Sequence, residues 1–326
     1  MILCLGTTPA AQRVMRFSGL MLDAVNRATA TLDGIAGKSV NVAKVLHALG
    51  ERPLATGFLG GARGEAIRTA LAARGIESEF VTVAADTREC VTVIDESAGT
   101  HTELVEESAP AEPDDFARLL AIVRRRMPGC RAAVMSGTIA PGGPADLYAQ
   151  CVRLAHDAGA LAIVDAQGPA LIAALPAGPD LVKPNRAELA ATVGRELADE
   201  HAVLAAIREL AERGARRVVV TAGREPTLLF DGTQVWRIRS PRLATLNPIG
   251  SGDALTAALV WRLVRGDDLG EAGRWGSAAG AANALTWMAG EVSRADVERL
   301  AGEVGVETSQ VWRDLQPVPL RNTFSG

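Results

Sequence analysis

The stretch "RAAVMSGTIAPGGPADLYAQCVRLAHDAGALAIVDAQG", residues 131 to 168, decides the fold. A short run, "RAAVMSGTI", leads into a longer helical pattern, "PADLYAQCVRLAHDAG", which gives way to a second short run, "LAIVDAQG". The same alternation returns downstream in "DLVKPN", "AVLAAIRELAERG" and "RRVVVTAG". Runs such as "VVVT" and "AIVD" are apolar at successive positions, as expected of strands covered on both faces by helices. A strand–helix–strand succession implies right-handed crossovers and a parallel, layered α/β sheet. Ligands of such sheets bind beyond the carboxyl ends of the strands. The glycine, aspartate and asparagine clusters of this chain fall at those ends.

A chain of 326 residues can bury a large core, as one big α/β domain or two ordinary ones. Its net charge of −4, with arginines scattered among acids, leaves no nucleic-acid footprint. Aromatic content of 4% also argues against base-stacking platforms. Cys4, Cys90, Cys130 and Cys151 lie far apart without CxxC pairing, so neither a zinc site nor a disulfide framework is expected, which fits a reducing cytosol. "MILCLGTTPA" lacks the basic start of a signal peptide. No segment approaches the roughly 20 apolar residues of a membrane span. The nearest, "WGSAAGAANALTWMAG", has the small residues of a buried helix.

Two regions break the alternation. Residues 10 to 33 and 86 to 107 read as alternating strands without intervening helices, and together predict a small antiparallel flap. Between them "GKSVNVAKVLHALG" predicts a helix with Val42, Val45, Leu46 and Leu49 on one face and Gly50 as its stop. No internal repeat or low-complexity linker divides the chain. From roughly Val306 onward no periodicity is usable.

Four motifs carry possible chemistry. In "NPIGSGDAL" the helical spacing of Leu255, Ala258, Leu259 and Leu263 places a helix start at Gly252 or Asp253. Free N–H groups and the dipole of such a terminus receive phosphate oxygens. An acid in the same turn could take the proton of an attacking hydroxyl; a plain helix cap is the other reading. "GFLGGARGEAIRTALAARGI" is glycine-rich but not GxGxxG, and reads as a tight strand-to-helix turn. In "KPNRAEL", Asn185 and Glu188 are three apart; they could hold magnesium through water, or simply begin a helix. Arg88, opening a flap strand, is either a phosphate grip or a solvated arginine. Asp165, ending "LAIVD", stays unassigned.

In this order the motifs resemble the ribokinase-like PfkB family of carbohydrate kinases, from Thr7 to about Leu300. "NPIGSGDAL" resembles its C-terminal signature, "GIAGKSVNVAKVLHALG" its N-terminal one, and "KPNRAEL" its Asn-x-x-Glu motif. "SGTIAPGGPADLY" and the Thr87-Arg88 pair resemble the 1-phosphofructokinase and tagatose-6-phosphate kinase group. The resemblance implies one three-layer α/β/α domain over residues 1–326, with a mostly parallel sheet and a β lid. It implies transfer of a phosphoryl group from ATP to a hydroxyl of a sugar phosphate of the fructose-1-phosphate or tagatose-6-phosphate type. Asp253 would be the base, with Gly250, Ser251 and Gly252 forming the anion hole. Asn185 and Glu188 would place hydrated Mg2+. Gln12, Gly37, Lys38, Asn41 and Ser136 would meet the sugar, and Arg88 with Arg27 its phosphate. Thr221, Gly223, Gly250, Gly252 and Asn283 would meet the nucleotide. A cytoplasmic homodimer joined through the lid is expected.

The chain departs from that pattern in places. "TTPAAQ" puts Gln12 where the group carries an aspartate for sugar hydroxyls, and Ala36 and Ser39 replace glycines. Exchanging a charged acceptor for an amide costs about 1 kcal/mol. The added Cβ atoms at 36 and 39 would crowd a sugar approaching the backbone. Serine at 251 should be harmless, since that turn works through its backbone. The departures leave a competing expectation open: a non-catalytic nucleotide and sugar-phosphate sensor, or a kinase of this fold for another sugar or a nucleoside.

Overall fold

The computed structural model describes residues 1–309. Its strands are β1 (Ile2–Gly6), β2 (Ala10–Phe17), β3 (Ala30–Ala36), β4 (Pro53–Leu59), β5 (Glu77–Thr82), β6 (Arg88–Asp95), β7 (Thr100–Val105), β8 (Ala132–Ser136), β9 (Leu161–Asp165), β10 (Leu181–Val182), β11 (Val218–Ala222), β12 (Glu225–Phe230), β13 (Val235–Arg239) and β14 (Gly305–Ser309). Its α-helices are α1 (Lys38–Ala48), α2 (Gly61–Ala73), α3 (Pro113–Arg126), α4 (Leu147–Asp157), α5 (Gly168–Ala174), α6 (Arg186–Val193), α7 (Glu200–Glu212), α8 (Ser251–Leu263), α9 (Leu269–Asn283) and α10 (Arg294–Ala301).

The large sheet has the order β14-β13-β12-β11-β10-β9-β8-β1-β4-β5. It is parallel from β5 to β11 and antiparallel from β11 to β14. Alternate residues of each buried strand serve opposite layers. Ile2 and Cys4 of β1 join the core shared with α1, α8 and α9, while Leu3 and Leu5 join the core under α3, α4 and α7. This two-sided burial is why the strands read as unbroken apolar runs. The carboxyl ends of β1, β8, β9, β10 and β11 all open on one edge, where Thr7, Ser136, Asp165, Lys183 and Thr221 emerge.

The second sheet, β3-β2-β6-β7, is the expected lid, with one difference. Its outer pairs are antiparallel, but its central pair, β2 with β6, is parallel, in register from Ala10 opposite Arg88. The cause is connectivity. β2 follows β1 and β6 follows β5, both leave the same edge of the large sheet, and so both run outward in the same direction.

Two further expectations are corrected. α1 buries every residue from Ser39 to Leu46, not one face, because it is enclosed by β1, β4, α8 and the foot of the lid strand β3. The segment from Val306, read as featureless, begins inside β14, an exposed edge strand whose partner β13 lies far back in the chain. The rest of that segment, 310–326, lies outside the described residues. The four cysteines are free and buried. Among the described residues no helix is long and apolar enough to cross a membrane.

Candidate active site

The turn before α8 resolves the question raised by its sequence. Gly250, not Asp253, caps the helix, in a left-handed conformation at φ 85°. A side chain there would meet Ala289 Cβ at 2.8 Å and Gly290 N at 2.9 Å, so only glycine fits. Asp253 occupies the first turn without capping anything. Its Oδ2 accepts a 2.8 Å hydrogen bond from Asn41 Nδ2 of α1, 212 residues away. Burial pushes its pKa up from the ordinary 3.8 to about 6; Lys38 pulls it back, Asp165 adds to the rise, and the Asn41 bond and Lys183 pull back less.

Asp165, which the sequence left without a role, stands at the centre of the cluster. It is fully buried and receives Lys38 Nζ at 3.3 Å, Lys183 Nζ at 3.1 Å and Thr256 Oγ1 at 2.9 Å. Burial opposes its ionisation, but Lys183 and Lys38, with the bonds from Thr256 and Lys183, outweigh it and hold the carboxyl below its usual range. Lys38 also reaches Glu188 Oε1 at 3.1 Å. Burial acts to lower the Lys38 pKa, but Asp165, Glu188 and Asp253 hold it above the ordinary lysine value. Lys183 lies beside Gly252, its Nζ 3.7 Å from where a Cβ would stand. Both missed residues carried a signal: each is a charged side chain directly behind a buried strand, at the sheet edge where ligands bind.

Asn185 and Glu188 form a reciprocal capping box on α6. Asn185 Oδ1 accepts from Glu188 N at 2.8 Å, and Glu188 Oε2 accepts from Asn185 N at 2.8 Å. The helix-start reading is therefore what the backbone uses, while Glu188 Oε1 still faces the cluster through Lys38. Among the described residues no group of three or more His, Cys, Asp or Glu gathers as a metal site. With the Asn185 oxygen spent on the cap, the donor set fits a divalent ion only as a hydrated one, met through water.

At the foot of the lid, Gly37 caps α1 at φ 103°, and a Cβ there would lie 2.7 Å from Pro9 Cα. Gln12 Nε2 donates to Thr92 Oγ1 of the lid at 3.2 Å. Gln12 Oε1, Asn41 Oδ1 and Ser136 Oγ are buried without any partner among the described residues, and such orphans demand an explanation. The hydroxymethyl of Ser39 fills the space left by Gly6 of β1. Arg88 spends Nε and Nη2 on Thr8 O, at 3.2 and 3.1 Å, and Nη1 on Glu106 O at 3.4 Å, bracing the lid's base. Arg27 is not brought to the cluster; it sits exposed on the β2–β3 connection.

Thr221 and Gly223 share an open cleft of about 530 Å³ with Asn185 and Arg186, and Thr221 bridges to Asn185. Asn283 is fully buried, and its amide serves Ile249 O at 2.9 Å, Ser251 Oγ at 3.3 Å and Gly290 N at 2.7 Å, which braces the turn.

Fold and site together define a ribokinase-like α/β enzyme. The chain belongs to the pfkB family of carbohydrate kinases, whose model matches residues 1–292, and membership in a kinase family implies ATP use. It is 28% identical over 309 residues to a tagatose-6-phosphate kinase of Staphylococcus epidermidis, covering 94% of this chain and 99% of that one. Phosphofructokinase-2 of Escherichia coli, solved with potassium, superposes with a TM-score of 0.84 at 30% identity, over 93% of this chain and 97% of that one. A Thermotoga maritima protein described as a possible 1-phosphofructokinase gives 0.87 at 25% identity, over 95% and 99%.

Proposed function

We propose that the protein phosphorylates a hydroxyl of a sugar phosphate, of the fructose-1-phosphate or tagatose-6-phosphate type, with Asp253 as the base. The observation that carries this reading is the buried Asp253 carboxylate, hydrogen-bonded only to a neutral amide and poised near pH 6 at the N-terminus of α8. A base is most useful when its pKa lies near the working pH. Asp253 takes the hydroxyl proton as the oxygen attacks the γ-phosphorus of ATP; the bond from that phosphorus to the bridging oxygen breaks, and ADP leaves with its electron pair. The amides of residues 250–253 and the Lys183 ammonium beside Gly252 hold the charge of the migrating group, a contribution of about 3 kcal/mol per well-placed donor. Glu188 would meet the water shell of a hydrated magnesium ion, whose charge would offset that of the nucleotide phosphates. Gln12 Oε1 and Ser136 Oγ accept from sugar hydroxyls, and the existing phosphate takes the Nη1 and Nη2 hydrogens that Arg88 does not spend on Glu106 O and Thr8 O. The lid excludes water, so that hydrolysis does not compete.

ADP release measured across a panel of sugars, sugar phosphates and nucleosides, with ATP and magnesium, tests the reading. Turnover confined to a nucleoside or unphosphorylated sugar replaces the substrate. Nucleotide binding without any turnover replaces the enzyme with a sensor, which Gln12 favours over the acid expected there. We also propose that a second copy covers the lid, where Met21, Leu22 and Val25 on the β2–β3 connection are largely exposed. Light scattering of the unaltered chain and of Leu22→Asp checks this; a monomer in both refutes it.

A further inference from the structure

The loop 284–291, between α9 and α10, has no part in the chemistry above, yet it is gripped from two sides. On the lid side, the Arg16 guanidinium of β2 lies 3.9 Å from the centre of the Trp287 ring, and Met288 fills the space beside Gly34 of β3. On the turn side, Asn247 Nδ2 donates to Trp287 O at 2.8 Å while Asn247 Oδ1 accepts from Ile249 N at 3.0 Å. Gly290 N donates to Asn283 Oδ1, and the Asn283 amide holds Ile249 O and Ser251 Oγ. One buried cation joins the two sides. Lys44 Nζ donates to Ile35 O, at the foot of lid strand β3, at 3.0 Å and to Ala289 O at 2.6 Å. It also pairs with Glu291 at 3.4 Å, which is itself held by Arg74.

A lysine this deeply buried is costly. Its ammonium is spent on two main-chain carbonyls from segments that must move relative to each other if the lid opens. From Ile35 the bonds run without a gap through Lys44, Ala289, Gly290 and Asn283 to the turn at 249–251. Ile35 lies two residues before Gly37, the cap of α1 at the foot of the lid. Ala289 is the residue against which Gly250 packs.

We propose that Lys44 is a positioning residue that couples seating of the lid to the shape of the turn holding the migrating phosphoryl group. It touches neither substrate; it makes the turn's geometry conditional on the lid's. The proposal rests on the phosphotransfer reading for its kinetic consequence, though not for its structural one.

Lys44→Met decides it. The expected result is a kcat lowered about tenfold or more, with dissociation constants for ATP and for the sugar phosphate within about threefold and calorimetric stoichiometry still near one per chain, because an interaction made only in the transition state has been lost. Unchanged stoichiometry separates this from a misfolded fraction. Lys44→Arg, which keeps the charge, recovers part of the loss. Combining Lys44→Met with Asn283→Ala costs little beyond the worse single variant, since both cut one chain of contacts; additive losses overturn the proposal, as does an unchanged kcat or an affinity lost in step with kcat. Hydrogen exchange gives a readout independent of turnover: sugar phosphate slows exchange of amides 247–253 in the unaltered chain and not in Lys44→Met. Retained slowing in the variant overturns the coupling. Absent turnover in the unaltered chain refutes the functional reading alone and leaves the exchange result to decide. Should Lys44→Met fail to fold, Trp287→Ala loosens the same loop from the lid side without touching α1 and must show the same kinetic and exchange pattern.

Discussion

Replacing the proposed base should make the protein more stable. Asp253 ionises near 3.8 in the unfolded chain and near 6 in the folded one. A difference of about two units is about 3 kcal/mol of preference for the neutral form, and relaxation of the site reduces this to about 1–3 kcal/mol. The sign follows from which state holds the proton. Below pH 4 the carboxyl is protonated in both states and imposes no cost. Between pH 4 and 6 the unfolded chain loses the proton first, so stability falls as pH rises. Above pH 6 the full cost of the buried anion is present. Asn at 253 keeps a partner for Asn41 and removes one of three carboxylates that face two ammonium groups, leaving Asp165 and Glu188 opposite Lys38 and Lys183. Asp253→Asn should therefore unfold a few degrees higher at pH 7, with an advantage that grows from about pH 4 to about pH 6 and then levels. Turnover should fall by about 10²–10⁴ while ATP affinity stays within about twofold. Thermal unfolding of both proteins across that pH range measures the gap. A variant that is less stable at pH 7, or whose advantage does not change with pH, refutes the assignment of a buried, largely unpaired carboxylate.

Further expectations follow from the same cluster. The acid limb of kcat/KM should lie near pH 6; it should move up in Lys38→Met, which removes a cation that lowers the Asp253 pKa, and down in Asp165→Asn, which removes an anion that raises it. Limbs that move together or in the reverse order would show that another group is titrating. Gln12→Asp should lower the KM for the sugar phosphate several-fold, because an ionised acceptor binds a hydroxyl about 1 kcal/mol more strongly; a lower melting temperature at unchanged KM would show that Gln12 does not meet the sugar. Arg88→Met should raise the sugar-phosphate KM about tenfold or more and leave the ATP KM unchanged, the loss expected of a charged hydrogen bond; equal rises in both would assign Arg88 to the lid's base alone.

The layers were legible because a doubly covered strand has only apolar positions to show, and "VVVT" and "AIVD" show nothing else. The lid was legible for the opposite reason, since "CVTVIDESAGTHTELVEES" alternates as a half-exposed sheet does. Pairings were not legible. That β2 meets β6 in parallel, or that β14 closes the sheet on β13, depends on contacts between distant segments that local pattern does not encode. The site divides in the same way. Asp253 stood out because a glycine turn marks its neighbourhood. Asp165 and Lys183 did not, because their meaning comes from partners: Lys38 reaches Asp165 across 127 residues. The bracing part of Asn283 was not legible either, because its sequence surroundings show a small-residue helix and not the three main-chain and side-chain groups that its amide meets.

The distribution of charge explains why the network needs Asp165, the residue to which the sequence assigned no role. A carboxylate paired directly with lysine ionises far below neutrality and is a poor base. A site proposed to receive a phosphoryl group also calls for positive charge, and two ammonium groups stand near Asp253. The fold separates the two demands by giving the cations another anion. Asp165 takes both Lys38 and Lys183, Glu188 takes a second bond from Lys38, and Asp253 receives only the neutral amide of Asn41. Thr256, on the same helix as Asp253, bonds to Asp165 at 2.9 Å and fixes the two acids relative to each other. Asp165 thus holds both lysines close while the carboxyl of the proposed base keeps its raised proton affinity, a division of labour that follows from its complete burial and from its place at the end of β9.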